Sequence, residues 1–507
     1  MRSARRLAAL LEAEKAVILP EDRIALIRTV KKIPSIMTQA EWDKVNASNW
    51  VFDGGEVVNI SSDYEAMLRD GFAKRRQLIA EKLAGSTGDG EAALFFEALL
   101  VCIDACSNFA RKYAAAARNA GKGDMARVFE NISEKGASSF YEACQFFRLL
   151  NFLLWINGNH HITVGRFDQY MYPYYKRDIE SGVLNKEEAY ELLAETFLSL
   201  NKDNELYHGV QQGDNGQSLV LGGIRPDGRD GVNELTGLCL KASLEINLID
   251  PKINLRVSKD TPLSLYVSGT ELTKQGMGFP QYNNDDVVIP GLVSLGYDLN
   301  DARDYVTAAC WEFIIPGKGM DIPNIDAMDF PKILSETVKA ELTSCTAFED
   351  FMACYRERIE TEAKRIVSAA KPVFLLPSPL QSLLMDGCVE RGRDISTGGK
   401  YNNYGMHGAG IATAVDGLYA IRRRVYEEKS VSAEGLTQAL ANNFADEGIR
   451  RLMLSAPRMG DNDDDVDGLA AALLNIFADT LAPLRNERGG IIRPGTGTAM
   501  YYLWLGS

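Results

Sequence analysis

Histidine is nearly missing from this chain, with 4 in 507 residues, at positions 160, 161, 208 and 407. The 8 cysteines include no Cys-x-x-Cys pair, which removes a zinc knuckle and a thioredoxin-type redox site from consideration. Positive charge is in deficit: 55 Lys and Arg face 69 Asp and Glu, a net charge of −14. No basic stripe offsets it, so nucleic acid is not the expected partner. Long apolar runs are lacking too. The longest candidate, Phe146 to Ile156, is broken by Arg148 and Asn151 and is too short to cross a bilayer; a buried helix explains it better. The start, Met1 to Leu7, carries positive charge but runs into Glu12, Glu14 and Lys15 without an apolar core, so it does not read as a secretory signal. A cytoplasmic protein with no membrane partner is expected. There is no internal repeat, low-complexity tract or Gly/Ser/Pro linker, and a single unit over residues 1–507 is the simplest expectation.

What is present can fill a large core: 46% of the residues are hydrophobic and 24% charged, as in ordinary globular proteins. Apolar residues recur at three- and four-residue spacing over Leu7–Ala16, Asp63–Leu83, Glu91–Ala120, Gly123–Leu154 and Lys186–Leu200, predicting a helical N-terminal part. Cys102 and Cys106, four apart, share one face of the apolar segment Ala93–Phe109 and read as small core residues. Short branched segments at Ser218–Gly222, Ile253–Val257 and Val287–Ile289, bounded by Gly, Pro or Asp, read as buried strands. Helical patterns near 231–248, 262–276, 332–370, 408–428, 433–454 and 464–482 separate or follow them. The alternation predicts an α/β fold.

Several motifs carry chemistry. In Tyr305-Val306-Thr307-Ala308-Ala309-Cys310-Trp311-Glu312-Phe313, small residues lead to a thiol with a carboxylate two positions on, a spacing suited to a reactive sulfur. An isolated Cys310 would more often be core than catalyst. The same spacing recurs in Cys388-Val389-Glu390, where charge on both sides and the lack of a comparable upstream block argue for a structural role. His160 and His161 are adjacent although histidine is scarce, and either ring suits hydrogen bonding to a hydroxyl or proton transfer near neutral pH. A metal is not expected, because neighbours on a strand point to opposite faces and no third ligand is evident. Asp463 to Gly468 copies half of a calcium loop, but Leu474 stands where a bidentate glutamate is needed. Gly495-Thr496-Gly497-Thr498 lacks the lysine of a phosphate loop.

Taken in order, several blocks resemble the glycyl radical enzymes of the pyruvate formate-lyase superfamily. They are Ser139 to Gln145, Val164 to Tyr175, Leu221 to Gly228, Gly278 to Asp286, the Cys310 loop, Asp394 to Asn402, Ala414 to Ile421 and Arg488 to Gly495. The resemblance runs from about residue 60 onward and implies a ten-stranded α/β barrel of two half-sheets wrapped by helices. It assigns Cys310 as the thiyl radical that removes a hydrogen atom from substrate carbon. In the dehydratase-like branch Glu312 is the base that takes a hydroxyl proton. His160 falls on that branch's substrate-binding histidine, His161 replaces a serine, and Asn324 falls near a polar pocket position. Trp311 stands where pyruvate formate-lyase itself carries a second cysteine, so acyl transfer is disfavoured. The family's radical-bearing glycine segment does not occur in this chain. No bound cofactor is therefore expected, and three explanations stay open: a partner polypeptide supplies the glycyl radical, generated by a radical S-adenosylmethionine activating enzyme; the chain is a fragment of a longer protein; or the barrel has lost radical chemistry and only binds. The expected substrate is a small hydroxylated molecule undergoing elimination. The alternatives are cleavage of a small carboxylate and a non-catalytic binding subunit; a homodimer is what the family suggests.

Overall fold

The helix Gly90–Asn119 begins where Asp89 accepts the amide of Ala92 at 3.0 Å, satisfying one of the donors that a helix start leaves open. Its residues Phe95, Leu99, Cys102, Cys106, Phe109, Tyr113 and Ala117 are all buried. By length and composition the helix could cross a membrane. The buried stripe instead packs on the helices Arg2–Ala13, Tyr64–Gly85 and Gly123–Ile132, as a core helix does. Cys102 and Cys106 are core residues, and burial pushes the Cys102 thiol up to about 12. The computed structural model describes residues 1–48, 51–52, 59–159, 161–202, 216–308, 312–370 and 372–497.

Gly123–Leu154, a single helical stretch by periodicity, is two helices, Gly123–Ile132 and Phe140–Ile156. The break carries Gly136, where a Cβ would lie 2.2 Å from the carbonyl oxygen of Arg69. Gly71, inside the helix Tyr64–Gly85, has a φ of 70°, and its Cβ would lie 2.2 Å from the backbone of Lys135. Two backbones cross here at a distance only glycine allows. The second helix restarts at Ser139, which accepts the amide of Glu142 at 3.1 Å. It is buried nearly all round, and its polar residues are individually bonded. Gln145 accepts the Ala25 amide at 2.9 Å, Arg148 donates to the Leu26 carbonyl at 3.3 Å, and Asn151 donates to Gln217 at 3.1 Å. These bonds offset the cost of burying polar groups and hold residues 25–26 against the helix.

The chain divides into two compact units, residues 1–321 with 373–401 and residues 322–372 with 402–507. Each is built from separate pieces of the chain, so no single linker marks the division in the sequence.

The strands are β1 (Val51–Phe52), β2 (Ile60–Ser61), β3 (Ile162–Thr163), β4 (Ser218–Gly222), β5 (Lys252–Val257), β6 (Gln281–Asn284), β7 (Val306–Ala308), β8 (Glu312–Ile314), β9 (Gly319–Asp329), β10 (Val373–Phe374), β11 (Tyr401–Ala409) and β12 (Ile492–Thr496). In the first unit β2 and β3 pair in parallel, as do β4, β5 and β6. A parallel bridge between Gly165 and Leu219 joins β3 to β4, through Val164 N to Ser218 O and Val220 N to Gly165 O, both 2.8 Å. Five parallel strands thus run in spatial order β2-β3-β4-β5-β6. The start of β9 pairs antiparallel with β2 at Ile60 and Met320. Among the described residues no sheet closes on itself.

Register decides which residues share a face. Leu255 on β5 is paired with Tyr282 on β6, and both meet the helix Leu263–Thr273 at Gly269, whose Cβ would lie 2.7 Å from the Tyr282 hydroxyl. That is the helix-covered face. The opposite face carries Ser218 and Val220 of β4, Asn254 and Arg256 of β5, and Asn283 of β6, all buried. A parallel sheet buried on both faces is ordinarily apolar throughout; here one face is polar.

The expected strands at Ser218–Gly222 and Ile253–Val257 are β4 and β5. Val287–Ile289 is a correction: it lies inside the helix Asp285–Ser294. Asn284 caps that helix by accepting the Asp286 amide at 3.0 Å, so the acidic start acts as a helix signal. In the second unit the pattern over 332–370 splits into helices Phe330–Glu341 and Phe348–Ala369. The 408–428 pattern begins with the end of β11, at Ala409, before helix Ile411–Ile421. Gly408 lies under Phe330, with its Cβ position 2.3 Å from the ring, and β11 pairs in parallel with β12.

Gly71→Ala is expected to cost about 2–4 kcal/mol, through strain at positive φ and a backbone clash. Gly85→Ala, at a helix end with nothing within 4 Å of the new Cβ, should be neutral or stabilise by up to about 1 kcal/mol. Urea unfolding midpoints of the two variants measure the difference.

Candidate active site

β7 and β8 form an antiparallel hairpin with Val306 opposite Ile314, Thr307 opposite Phe313 and Ala308 opposite Glu312. Cys310 falls within residues 309–311, which, like His160, are outside the described residues. Glu312 is the first residue of β8 and is half-buried. Directly opposed residues of an antiparallel pair project to the same side, so Glu312 shares a face with Ala308. The hairpin lies on the polar face of the β4-β5-β6 sheet: Val306, Ala308 and Ile314 form a buried apolar cluster with Val220. From the other face of β7, the Thr307 hydroxyl accepts from the Asn283 amide at 3.0 Å.

Beneath the hairpin is a fully buried ion pair. Arg256 Nε donates to Asp285 Oδ1 at 2.8 Å and Nη2 to Oδ2 at 3.0 Å, both side chains being 0% exposed. Each Asp285 oxygen accepts a second donor, the Tyr305 hydroxyl on Oδ1 at 2.8 Å and the Ile224 amide on Oδ2 at 2.6 Å. The guanidinium also donates to the Tyr305 carbonyl at 3.0 Å and the Ile224 carbonyl at 3.1 Å, and lies 3.9 Å from the Tyr305 ring centroid. Two-pronged geometry of this kind fixes orientation as well as charge. Tyr305 immediately precedes β7, so the pair clamps the base of the hairpin. Burial pushes the Tyr305 phenol up, keeping it a neutral donor. Gly223, with φ 75°, passes directly over the pair: a Cβ there would lie 2.5 Å from Arg256 Nε and 2.9 Å from Asp285 Oδ2.

A second buried arginine, Arg166, donates to the carbonyls of Gly222 at 2.8 Å and Ile224 at 3.2 Å, and to Asp304 at 3.2 Å. Burial, aided by Arg256, lowers its pKa to about 10, which still leaves it charged at neutral pH. Asp168 accepts the Gly222 amide at 2.8 Å and the Thr236 hydroxyl at 2.5 Å; burial raises its pKa. The two side chains hold the Gly222–Ile224 turn from which the Asp285 contact is made.

Of the residues singled out in the sequence, Glu312 belongs to this hairpin. His161 precedes β3 in left-handed backbone, φ 52°, and its half-buried ring covers Gly216, whose Cβ would lie 2.5 Å from Cδ2. Asn324 lies within β9; its side chain is outside the described residues. The second Cys-x-Glu pair separates as expected of a structural site: Cys388 is buried, with its thiol pushed up to about 12, while Glu390 is exposed. Arg256, Asp285, Arg166 and Asp168 received no role from the sequence. The available signal was a charged residue inside an otherwise apolar strand pattern, Ile253-Asn254-Leu255-Arg256-Val257. The buried Oδ1 atoms of Asn254 and Asn283 accept no protein hydrogen bond and stand on the face the hairpin covers. Among the described residues no group of three or more His, Cys, Asp or Glu side chains is arranged to hold a metal.

The model of the family described as pyruvate formate lyase-like matches residues 41–506. The chain belongs to this family. Curated relatives include the (2S)-3-sulfopropanediol dehydratase of Klebsiella oxytoca, 26% identical over 483 residues, a match that covers 86% of this chain and 58% of the relative. The trans-4-hydroxy-L-proline dehydratase of Clostridioides difficile is 27% identical, over 78% of this chain and 56% of the relative. The chain therefore spans less than two thirds of the length of these relatives. Among solved structures, the B12-independent glycerol dehydratase of Clostridium butyricum superposes with a TM-score of 0.80 at 28% identity, covering 93% of this chain and 65% of that one. A Roseburia inulinivorans structure described for 1,2-propanediol dehydration gives 0.83 at 28% identity, covering 97% and 76%. The mixed α/β fold is thus the fold of this family.

Removing one partner of the buried pair leaves a charge without compensation, so Asp285→Ala is expected to cost about 3–5 kcal/mol. Tyr305→Phe, which deletes one hydrogen bond, should cost about 1–2 kcal/mol. Denaturant titration of both variants gives the two values; equal losses would remove the ion pair from its anchoring role.

Proposed function

We propose that this chain is the catalytic barrel of a glycyl radical lyase of the dehydratase type, acting on a small hydroxylated substrate. The observation that carries the reading is the hairpin: it sets Glu312, half-buried, at the head of β8 two residues after Cys310, on a base clamped by Arg256 and Asp285. Further support comes from the relatives, which include dehydratases and isethionate sulfite-lyases.

In this reading Cys310 carries a thiyl radical and takes a hydrogen atom from the hydroxyl-bearing carbon of the substrate. The sulfur becomes a thiol and the carbon a radical. Glu312 takes the hydroxyl proton, the developing ketyl expels the group on the adjacent carbon, and His160 or His161 supplies a proton where that group leaves as water. The product radical takes the hydrogen atom back from Cys310, which restores the thiyl. His160 and His161 hold the substrate, fixing one carbon-hydrogen bond against the sulfur. The five parallel strands are one half of the ten-stranded barrel. The unpaired electron originates on a glycine of a partner polypeptide, placed there by a radical S-adenosylmethionine activating enzyme.

The test is anaerobic turnover of the protein with a glycine-radical partner and its activating enzyme, offered diols, hydroxysulfonates and hydroxyproline. Elimination product is expected from at least one of these. Cys310→Ala should abolish it, and Glu312→Gln should lower kcat by about 10²–10⁴ with little change in KM. Full activity in Cys310→Ala, or no turnover of any class, would overturn the reading.

A further inference from the structure

Two thiols in the second unit face each other and take no part in the chemistry above. The Cys345 and Cys354 sulfurs are 4.0 Å apart, and both residues are half-buried, whereas Cys102, Cys106, Cys144, Cys239 and Cys388 are buried. Cys345 sits in the connection between the helices Phe330–Glu341 and Phe348–Ala369, its amide donating to the Glu341 carbonyl at 3.1 Å. Cys354 lies on the second helix and lines a cleft of about 780 Å³ together with Lys332, Glu336, Glu341 and Arg358. Solvent and small solutes can thus reach Cys354 from that cleft, and Cys345 is itself partly exposed.

We propose that Cys345 and Cys354 form a site of thiol–disulfide exchange, closing into an intrachain cystine when a low-molecular-weight disulfide serves as oxidant. One thiolate attacks a sulfur of the small disulfide, whose S–S bond breaks and releases one thiolate. The second cysteine then attacks the mixed disulfide, forming the intrachain S–S bond and releasing the other small thiolate. Two electrons pass to the oxidant and two protons leave the cysteines. A disulfide needs sulfurs about 2.05 Å apart, so the thiols must close from van der Waals contact. The hinge for that movement is the short connection carrying Cys345, held by Asp350 Oδ2 on the Ala347 amide and the Thr346 hydroxyl, both 3.2 Å.

The groups around Cys345 set the rate. Burial, then Cys354, then the carboxylates of Asp350 and Glu341 push its thiol up to about 11. Arg358, bonded to Glu341 at 3.2 Å, offsets part of that negative field, and Tyr426 donates to the Cys345 carbonyl at 3.5 Å. Closure should therefore be slow at neutral pH and accelerate as pH rises, because the thiolate is the attacking species.

Both cysteines lie in one tryptic peptide, residues 340–356, which makes the test direct. The folded protein is incubated with oxidised glutathione at mildly alkaline pH, freed of it, alkylated in denaturant and digested without reduction. The expected result is loss of two of the 8 thiols, with peptide 340–356 two hydrogens lighter than its reduced form. Cys354→Ser should leave Cys345 as a glutathione mixed disulfide. Eight alkylated cysteines, a mixed disulfide that persists in the wild-type chain, or a link to any other cysteine would each overturn the proposal. None of these outcomes depends on turnover, so failure here leaves the catalytic reading untouched and the reverse also holds.

Discussion

The contact between Arg256 and Asp285 constrains everything around the candidate active site. An ion pair with no solvent access repays the loss of hydration only if its remaining donors and acceptors are satisfied. Here both carboxylate oxygens take two donors each, and the guanidinium holds two further carbonyls. The pair and its partners come from four places: the strand β5, the start of the helix after β6, the turn after β4, and Tyr305 just before β7. The same contacts reach Tyr305, so the sheet and the hairpin that crosses it are tied at one point. Gly223 follows from this arrangement, because a side chain there would occupy the space of the pair itself.

From that anchor the polarity of the sheet becomes intelligible. One face of β4, β5 and β6 packs under helices in the usual way, while the other carries asparagines and an arginine, buried yet not apolar. Burying polar groups is costly unless they are paired. Arg256 is paired through Asp285, and Asn283 reaches the hairpin through Thr307. The Oδ1 atoms of Asn254 and Asn283 are buried on this face without a protein hydrogen bond.

Cysteine usage divides along the same physical line. Five of the described cysteines are desolvated and serve as small apolar residues, with burial holding several thiols far from ionisation. Cys345 and Cys354 are partly accessible and in mutual contact, an arrangement in which exchange chemistry competes with packing. Cys310 differs from both groups through its neighbour: the carboxylate of Glu312 stands at a strand head, whereas Glu390, at the same spacing from Cys388, is exposed.

The sequence by itself determined the amphipathic helices, the strands at Ser218–Gly222 and Ile253–Val257, the bland role of Cys102 and Cys106, and the family through the order of its blocks. Each of these is written in local periodicity or in short motifs. Tertiary structure decided that Gln281–Asn284 is the strand and Val287–Ile289 part of the following helix, because the Asn-Asp cap outweighs a branched run that pairs with no strand. It alone joined Arg256 to Asp285 across 29 positions and Cys345 to Cys354 between two helices. Such pairings depend on register and on where a chain turns, and neither is recorded in the spacing of residues along it.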